Sequence, residues 1–422
     1  MKVIIRKAKI VDPRSSHHLK TRDILLDNGE IKAIASKIDD TAASEIKGKD
    51  LYVSIGFCDM RAFSKEPGHE AMETLESLSA AAAAGGFSNL GIMPNTEPII
   101  SSKESISYFK NFSKNSLTQL NAVAAITKNC KGEDFTEMWD LHANGAVAFS
   151  DGLYPLWNAD IFLKTIQYLA PKKALIINKS EEPTLALFGQ MHEGEASTRI
   201  GTKGIPSAAE EIMIQRDLKL LEYSGCKSET PLLHFTCIST AESVSLIRRA
   251  KAKGLPISCD VAAHHLTFTD NDLLSFDTNL KVSPPLRTRK DQKALLKGLE
   301  DGTIDAIVSD HNPLDEEHKK CEFDLADFGA IGLQTVLPSL LQVGLSPELI
   351  VEKLTKGYEL LGLEQDTIQE NTKANLTIFD QSVEWTFEEK DILSRSKNSP
   401  FIGRKLKGKV LAISNNGFTK IF

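Results

Sequence analysis

PLLHFTCISTAESVSLIRRAKAKGLPISCDVAAHH, residues 231–265, carries the reading that decides the fold. PLLHFTC is apolar without alternation, the pattern of a strand buried on both faces rather than one. Thr240 then opens the helical stretch AESVSLIRRAKAK, which Gly254 can stop. PISCDVAAHH follows as a second doubly buried strand. A strand, a helix and another strand of this kind make a parallel βαβ unit.

Working outward, the same alternation recurs along the chain. The apolar runs are LYVSIGFCDM, NLGIMPN, LNAVAAITK, AVAFSDG, KALIINKS, PLLHFTC, PISCDVAAHH and IDAIVSDHN, eight in all. Helix signals lie between them. Ser101 and Glu104 have capping-box spacing ahead of SISYFKNF, and Glu73 to Ala84 is a run of strong helix formers ending at Gly85-Gly86. Eight β-then-α units predict a (β/α)8 TIM barrel spanning residues 56–365. The flanks read differently. KVIIRKAKIVD, DILLDNGEIKAIA and KDLYVSI at one end, and ANLTIFD, WTFEE and GKVLAISNNGFTKIF at the other, are short strands joined by polar turns. Residues 1–55 and 366–422 are therefore expected to pair into one small β-sandwich-like domain.

Composition narrows the function. A chain of 422 residues, 41% hydrophobic and 25% charged, can bury a large core, and its net charge of -7 comes without a basic block. A nucleic-acid partner is not expected. MKVIIRKAKIVD becomes charged too early for a signal peptide, and no run reaches the ~18 apolar residues of a membrane span. Six cysteines (58, 130, 226, 237, 259, 321) without a CxxC pair read as reduced thiols, so a cytoplasmic location is expected.

In such a barrel the chemistry sits at the C-terminal strand ends. Those ends carry Asp59, Arg61 and Phe63, then Asn95, Lys128, Asp151, Lys179, Cys237, His264 and His265, and finally Asp310 and His311. Here a resemblance becomes specific. GFCDMRAFSKEPG (56–68) resembles the dihydroorotase signature GF-x-D-x-H-x-H-x-R-E-P-G. The likeness continues in order through MPNTEP (93–98), AFSDG (148–152), HFTCIST (234–240), HHLTFTDNDL (264–273), KVSPPLR (281–287), DGTIDAIVSDHNP (301–313), FGAIGLQT (328–335) and SPFIGRKLKGKV (399–410). It covers nearly the whole chain and points to the longer bacterial class within the amidohydrolase superfamily.

The resemblance implies hydrolysis of a cyclic amide in pyrimidine biosynthesis by water on one or two zinc ions. Zinc takes His nitrogen or carboxylate oxygen at ~2.0–2.2 Å and brings its water close to neutral pKa. The ligand positions depart from that pattern. The two histidines of H-x-H fall on Arg61 and Phe63, and neither guanidinium nor phenyl offers a lone pair. The fifth-strand histidine falls on Lys179 and the sixth-strand one on Cys237. Asp310 keeps the position of the family's ligand and general base, and Asp151 matches one aspartate of a shortened motif. Of the substrate-type positions Asn95 is retained, while Lys65 replaces a carboxylate-gripping arginine, Ser283 an asparagine and Leu314 a histidine.

The expectation is a degenerate, pseudoenzyme-like homologue with no zinc, acting as a structural or regulatory partner. The resemblance suggests a homodimer and aspartate carbamoyltransferase as the associate. The alternative is an active cyclic amidohydrolase with one metal held by Asp151, Cys237 and Asp310. Cys237 reads either as a thiolate ligand or as a small buried apolar residue. His264 and His265 read as a structural pair rather than as new ligands. Arg61 and Lys179 read either as drift or as cations that replace the metal's charge beside Asp310 and Asp151.

Overall fold

The computed structural model describes residues 2–422. Eight parallel strands stand in sequence order around a barrel: Phe57–Ala62, Phe87–Ile92, Gln119–Ala124, Ala148–Phe149, Leu175–Lys179, Leu233–Thr236, Ile257–Ala262 and Ala306–Val308. A parallel bridge between Ala62 and His311 brings the eighth strand back to the first. Every residue of these strands is buried except Gln119 and Asn121, as strands need to be when helices cover one side and the barrel interior the other. The unit at 231–265 forms as read. Thr240 caps the helix Ala241–Ala252 by accepting from the Ser243 N–H, and Gly254 at φ +78° follows it.

Both chain ends join one nine-stranded sheet. The strand Leu51–Ile55 lies between Lys2–Val11, to which it is parallel, and the antiparallel Leu376–Thr386, with Leu376 opposite Ile55. The strands form one continuous hydrogen-bonded sheet rather than two separately bonded sheets, a refinement of the sandwich-like expectation. It rests against the barrel partly through Lys405–Asn415, which packs on the helix Val336–Gln342.

Two local readings shift. LYVSIGFCDM is not one strand: its first half belongs to the terminal sheet and its second half to the barrel, with Gly56 at the corner. A Cβ at Gly56 would sit 2.2 Å from Ser88 Oγ and 2.4 Å from Asn375 Oδ1, so the corner admits only glycine without rearrangement. The helix expected after Ser101 is capped instead by Ser102, with Ser105 completing the capping box of Lys103–Ser113. Among the described residues no helix is long and apolar enough to cross a membrane.

Candidate functional site

At the C-terminal mouth of the barrel lies a cleft of about 630 Å³. Its lining includes Arg61, Lys65, Lys179, Glu181, Ser283 and Asp310. Arg61 is the penultimate residue of the first strand, its side chain is buried, 1% exposed, and its Nε donates to Asp310 Oδ1 at 2.7 Å. Nη1 donates to the Gly152 carbonyl at 3.3 Å, and the guanidinium carbon lies 5.2 Å from the Phe63 ring centre. The contact with Asp310 is a single bond, not the two-pronged fork of an ideal Arg–carboxylate pair. Asp310 itself sits at φ +47°, in the left-handed region that non-glycine residues seldom adopt.

Burial raises Asp310 above the ordinary carboxylate range, even though Arg61 and, at longer range, Lys179 and His265 pull it down. Burial also lifts the Cys237 thiol well above its usual value, so Cys237 is neutral near pH 7. Asp310 is the carboxyl group hydrogen-bonded to the Arg61 guanidinium in this dry setting.

Lys179 departs from expectation. Its Nζ donates to Ser283 Oγ at 2.7 Å, to Glu181 Oε1 at 3.3 Å and to the Leu153 carbonyl at 3.4 Å, and it bonds to neither Asp310 nor Asp151. Two nearer acceptors on the cleft wall have captured it, one of them the serine that stands where the family has asparagine. Its effect on Asp310 is electrostatic only. Lys179→Met should therefore cost about 2 kcal/mol in urea denaturation, the scale of hydrogen bonds made by a charged group. A loss of 3 kcal/mol or more would show that Lys179 carries the charge balance of the buried site.

Asp151 also lies elsewhere. It accepts from the backbone N–H groups of Ile126 (3.0 Å) and Thr127 (2.9 Å) and from the Thr127 hydroxyl, tying the third strand end to the fourth. Burial raises it to about 6 against those bonds. Asn95, expected on substrate, is spent on the same turn: Nδ2 donates to the Asp151 carbonyl at 3.2 Å and Oδ1 accepts from the Leu153 N–H at 2.9 Å. Gly152 makes this approach possible, because a Cβ there would come within 1.8 Å of Asn95 Oδ1. Lys128 lies in a short 3₁₀ turn and does not line the cleft. Cys237 is buried and receives only a weak contact from Thr236 Oγ1 at 3.8 Å.

His264 and His265 lie face to tilted face, ring centres 4.6 Å apart, and burial holds both neutral by lowering them to about 3. His265 Nε2 meets the Pro284 carbonyl at 3.0 Å and so carries the ring proton. Among the described residues no three His, Cys, Asp or Glu side chains come together as a metal would require, and Asp151, Cys237 and Asp310 are no exception. The residues present do not fit the zinc that the resemblance implies.

Three buried networks brace this end of the barrel, and only some of their members stood out in the sequence. Asp59 accepts from the Ser309 hydroxyl and N–H, joining the first strand to the eighth, and burial lifts it to about 7. His234 Nε2 meets Asp260 Oδ2 at 2.7 Å, and Asp260 also receives the Cys237 N–H at 2.6 Å. His311 accepts the Gly332 N–H at Nδ1, so Nε2 carries the proton toward Glu73 Oε2, 3.3 Å away. Glu73 further accepts from the Ser394 hydroxyl and the Arg395 N–H, clasping the C-terminal segment to the barrel. Burial raises Glu73, but these bonds, His311 foremost, hold it below the usual range. Glu73 read as the start of a helix; Thr74 is the actual cap, which leaves Glu73 outside the helix and pointing inward.

An eight-stranded parallel barrel with a cleft at its C-terminal strand ends, joined to one sheet built from both chain termini, is a defined architecture. Solved structures share it over the whole chain. The L-hydantoinase of Arthrobacter aurescens superposes with a TM-score of 0.84 at 24% identity, covering 100% of this chain and 97% of that one. The dihydropyrimidinase of Brevibacillus agri gives 0.81 at 20%, covering 100% and 95%. At these identities the likeness concerns fold alone. Sequence similarity goes further. Residues 51–243 match the family described as dihydro-orotase-like. The dihydroorotase of Pelotomaculum thermopropionicum is 38% identical over 414 residues, 97% of this chain and 96% of the relative. That of Geotalea daltonii is 38% identical over 415 residues, with the same coverage. The chain belongs to the dihydroorotase-like family.

Proposed function

We propose that this protein is a non-catalytic member of the dihydroorotase-like family in which an internal cation stands in for zinc. The supporting observation is the buried pair of Arg61 with Asp310 at the former ligand positions. A guanidinium there offers the aspartate a charge partner and offers a metal no lone pair. Asp310, the one retained base-type carboxylate at the cleft, is engaged by Arg61, and among the described residues no group of three His, Cys, Asp or Glu side chains stands beside it to hold a water-activating metal.

In this reading the fold was kept for association. The family resemblance suggests a cytoplasmic homodimer that partners aspartate carbamoyltransferase, and sedimentation of the protein alone and mixed with that enzyme checks both points. Metal analysis of untagged protein tests the loss of zinc directly. The expected content is far below one zinc per chain, even after dialysis against zinc. Stoichiometric zinc that disappears in Asp310→Asn would overturn the proposal in favour of a reduced but active metal site.

A further inference from the structure

Arg61, Lys65 and Lys179 all line the cleft, but they are not equivalent. Arg61 is bonded to Asp310, and Lys179 to Ser283 and Glu181. The Lys65 ammonium makes no hydrogen bond or ion pair; its near neighbour is the Phe63 ring, 5.9 Å from Nζ to the ring centre. The residue is 8% exposed, and what remains open faces the cleft. An unpaired charge in so dry a place is costly, and an amine escapes the cost by shedding its proton. Burial lowers Lys65 to about 8 although Asp327 and Asp315 pull the other way. An amine with a free lone pair at the edge of a cleft is a nucleophile, which a hydrogen-bonded ammonium is not.

We propose that Lys65 is a covalent capture site for small aldehydes and ketones that enter the cleft. Nζ attacks the carbonyl carbon, and the C=O π pair moves to oxygen, which takes a proton. The nitrogen gives up both of its protons in turn, the hydroxyl takes the second proton equivalent and leaves as water, and a C=N bond remains. The sum is amine plus carbonyl giving imine plus water, with no oxidant or reductant consumed. Asp310, His318 and Asp327 also line the cleft and are groups of the kind that move such protons. The capture does not depend on the loss of zinc.

The test uses butanal as the probe and cyanoborohydride to fix the imine as a secondary amine, with peptide mass spectrometry reading each lysine. At pH 7.5 Lys65 should be labelled at least about tenfold faster than Lys37, whose side chain is 75% exposed and paired with Asp39, because the Lys65 amine has no ion-pair partner and burial lowers it to about 8. Lys65→Arg should keep the parental melting temperature and the Lys37 rate while losing the fast label. Labelling of Lys65 no faster than Lys37, or a fast label on Lys179 instead, would overturn the proposal. A protein that binds zinc and still labels fast at Lys65 would end the non-catalytic reading and leave this one standing.

Discussion

Arg61→Met should lower the unfolding free energy by about 3–5 kcal/mol at pH 8, the cost of stripping one partner from a buried ion pair. The side chain is almost completely enclosed, and its loss leaves Asp310 with Lys179 only as a distant cation. Asp310 already lies above the ordinary carboxylate range through burial, and removing Arg61 moves it higher still. A carboxyl raised in the folded state contributes stability at low pH that is lost as pH rises through its folded value. The penalty of Arg61→Met should therefore be smallest at acid pH and should grow with rising pH across the window between the ordinary carboxylate value and the raised folded value of Asp310. Urea denaturation at several pH values reads this directly. Adding Asp310→Asn to Arg61→Met should recover much of the loss, because a neutral amide needs no counter-ion, and the double-mutant cycle isolates the pair. An Arg61→Met protein as stable as the parent at pH 8 would mean that the arginine is a product of drift and balances nothing.

Catalytic silence is the second large effect expected. Purified protein, with or without added zinc, should hydrolyse dihydroorotate no faster than buffer, a shortfall of at least about 10⁶-fold against a competent enzyme. The physical reason is that such chemistry relies on a metal to bring water to a near-neutral pKa. Here two first-strand ligand positions are guanidinium and phenyl, a third is a hydrogen-bonded ammonium, and a fourth is a neutral thiol. Lys179→His alone should not restore zinc binding, since Arg61 and Phe63 still occupy the first strand. Zinc-dependent turnover in the unaltered protein, abolished by Asp310→Asn, would refute this outcome.

The fold was largely legible from one dimension. Doubly buried strands leave largely continuous apolar runs, and all eight runs overlap a barrel strand, because helices on one side and packed side chains on the other favour apolar residues on both faces. The capping logic was legible too, to within a residue at Ser102. Chemical identity also settles what certain positions cannot do: Arg61 and Phe63 cannot ligate a metal wherever they point.

Direction in space was not legible. Lys179 and Asp151 read as members of the same charge cluster as Arg61 and Asp310. In the folded chain Lys179 is taken by Ser283 and Glu181, and Asp151 by the backbone of Ile126 and Thr127. Asn95 kept its family identity yet spends both ends of its amide on the turn at 151–153. Sequence by itself determined the barrel, the β-strand character of both chain ends, and which residue types stand at the strand ends. Only the tertiary structure decided which of them meet. A strand end leaves a long polar side chain several acceptors within reach, and the nearest satisfied geometry wins over the one the pattern suggests.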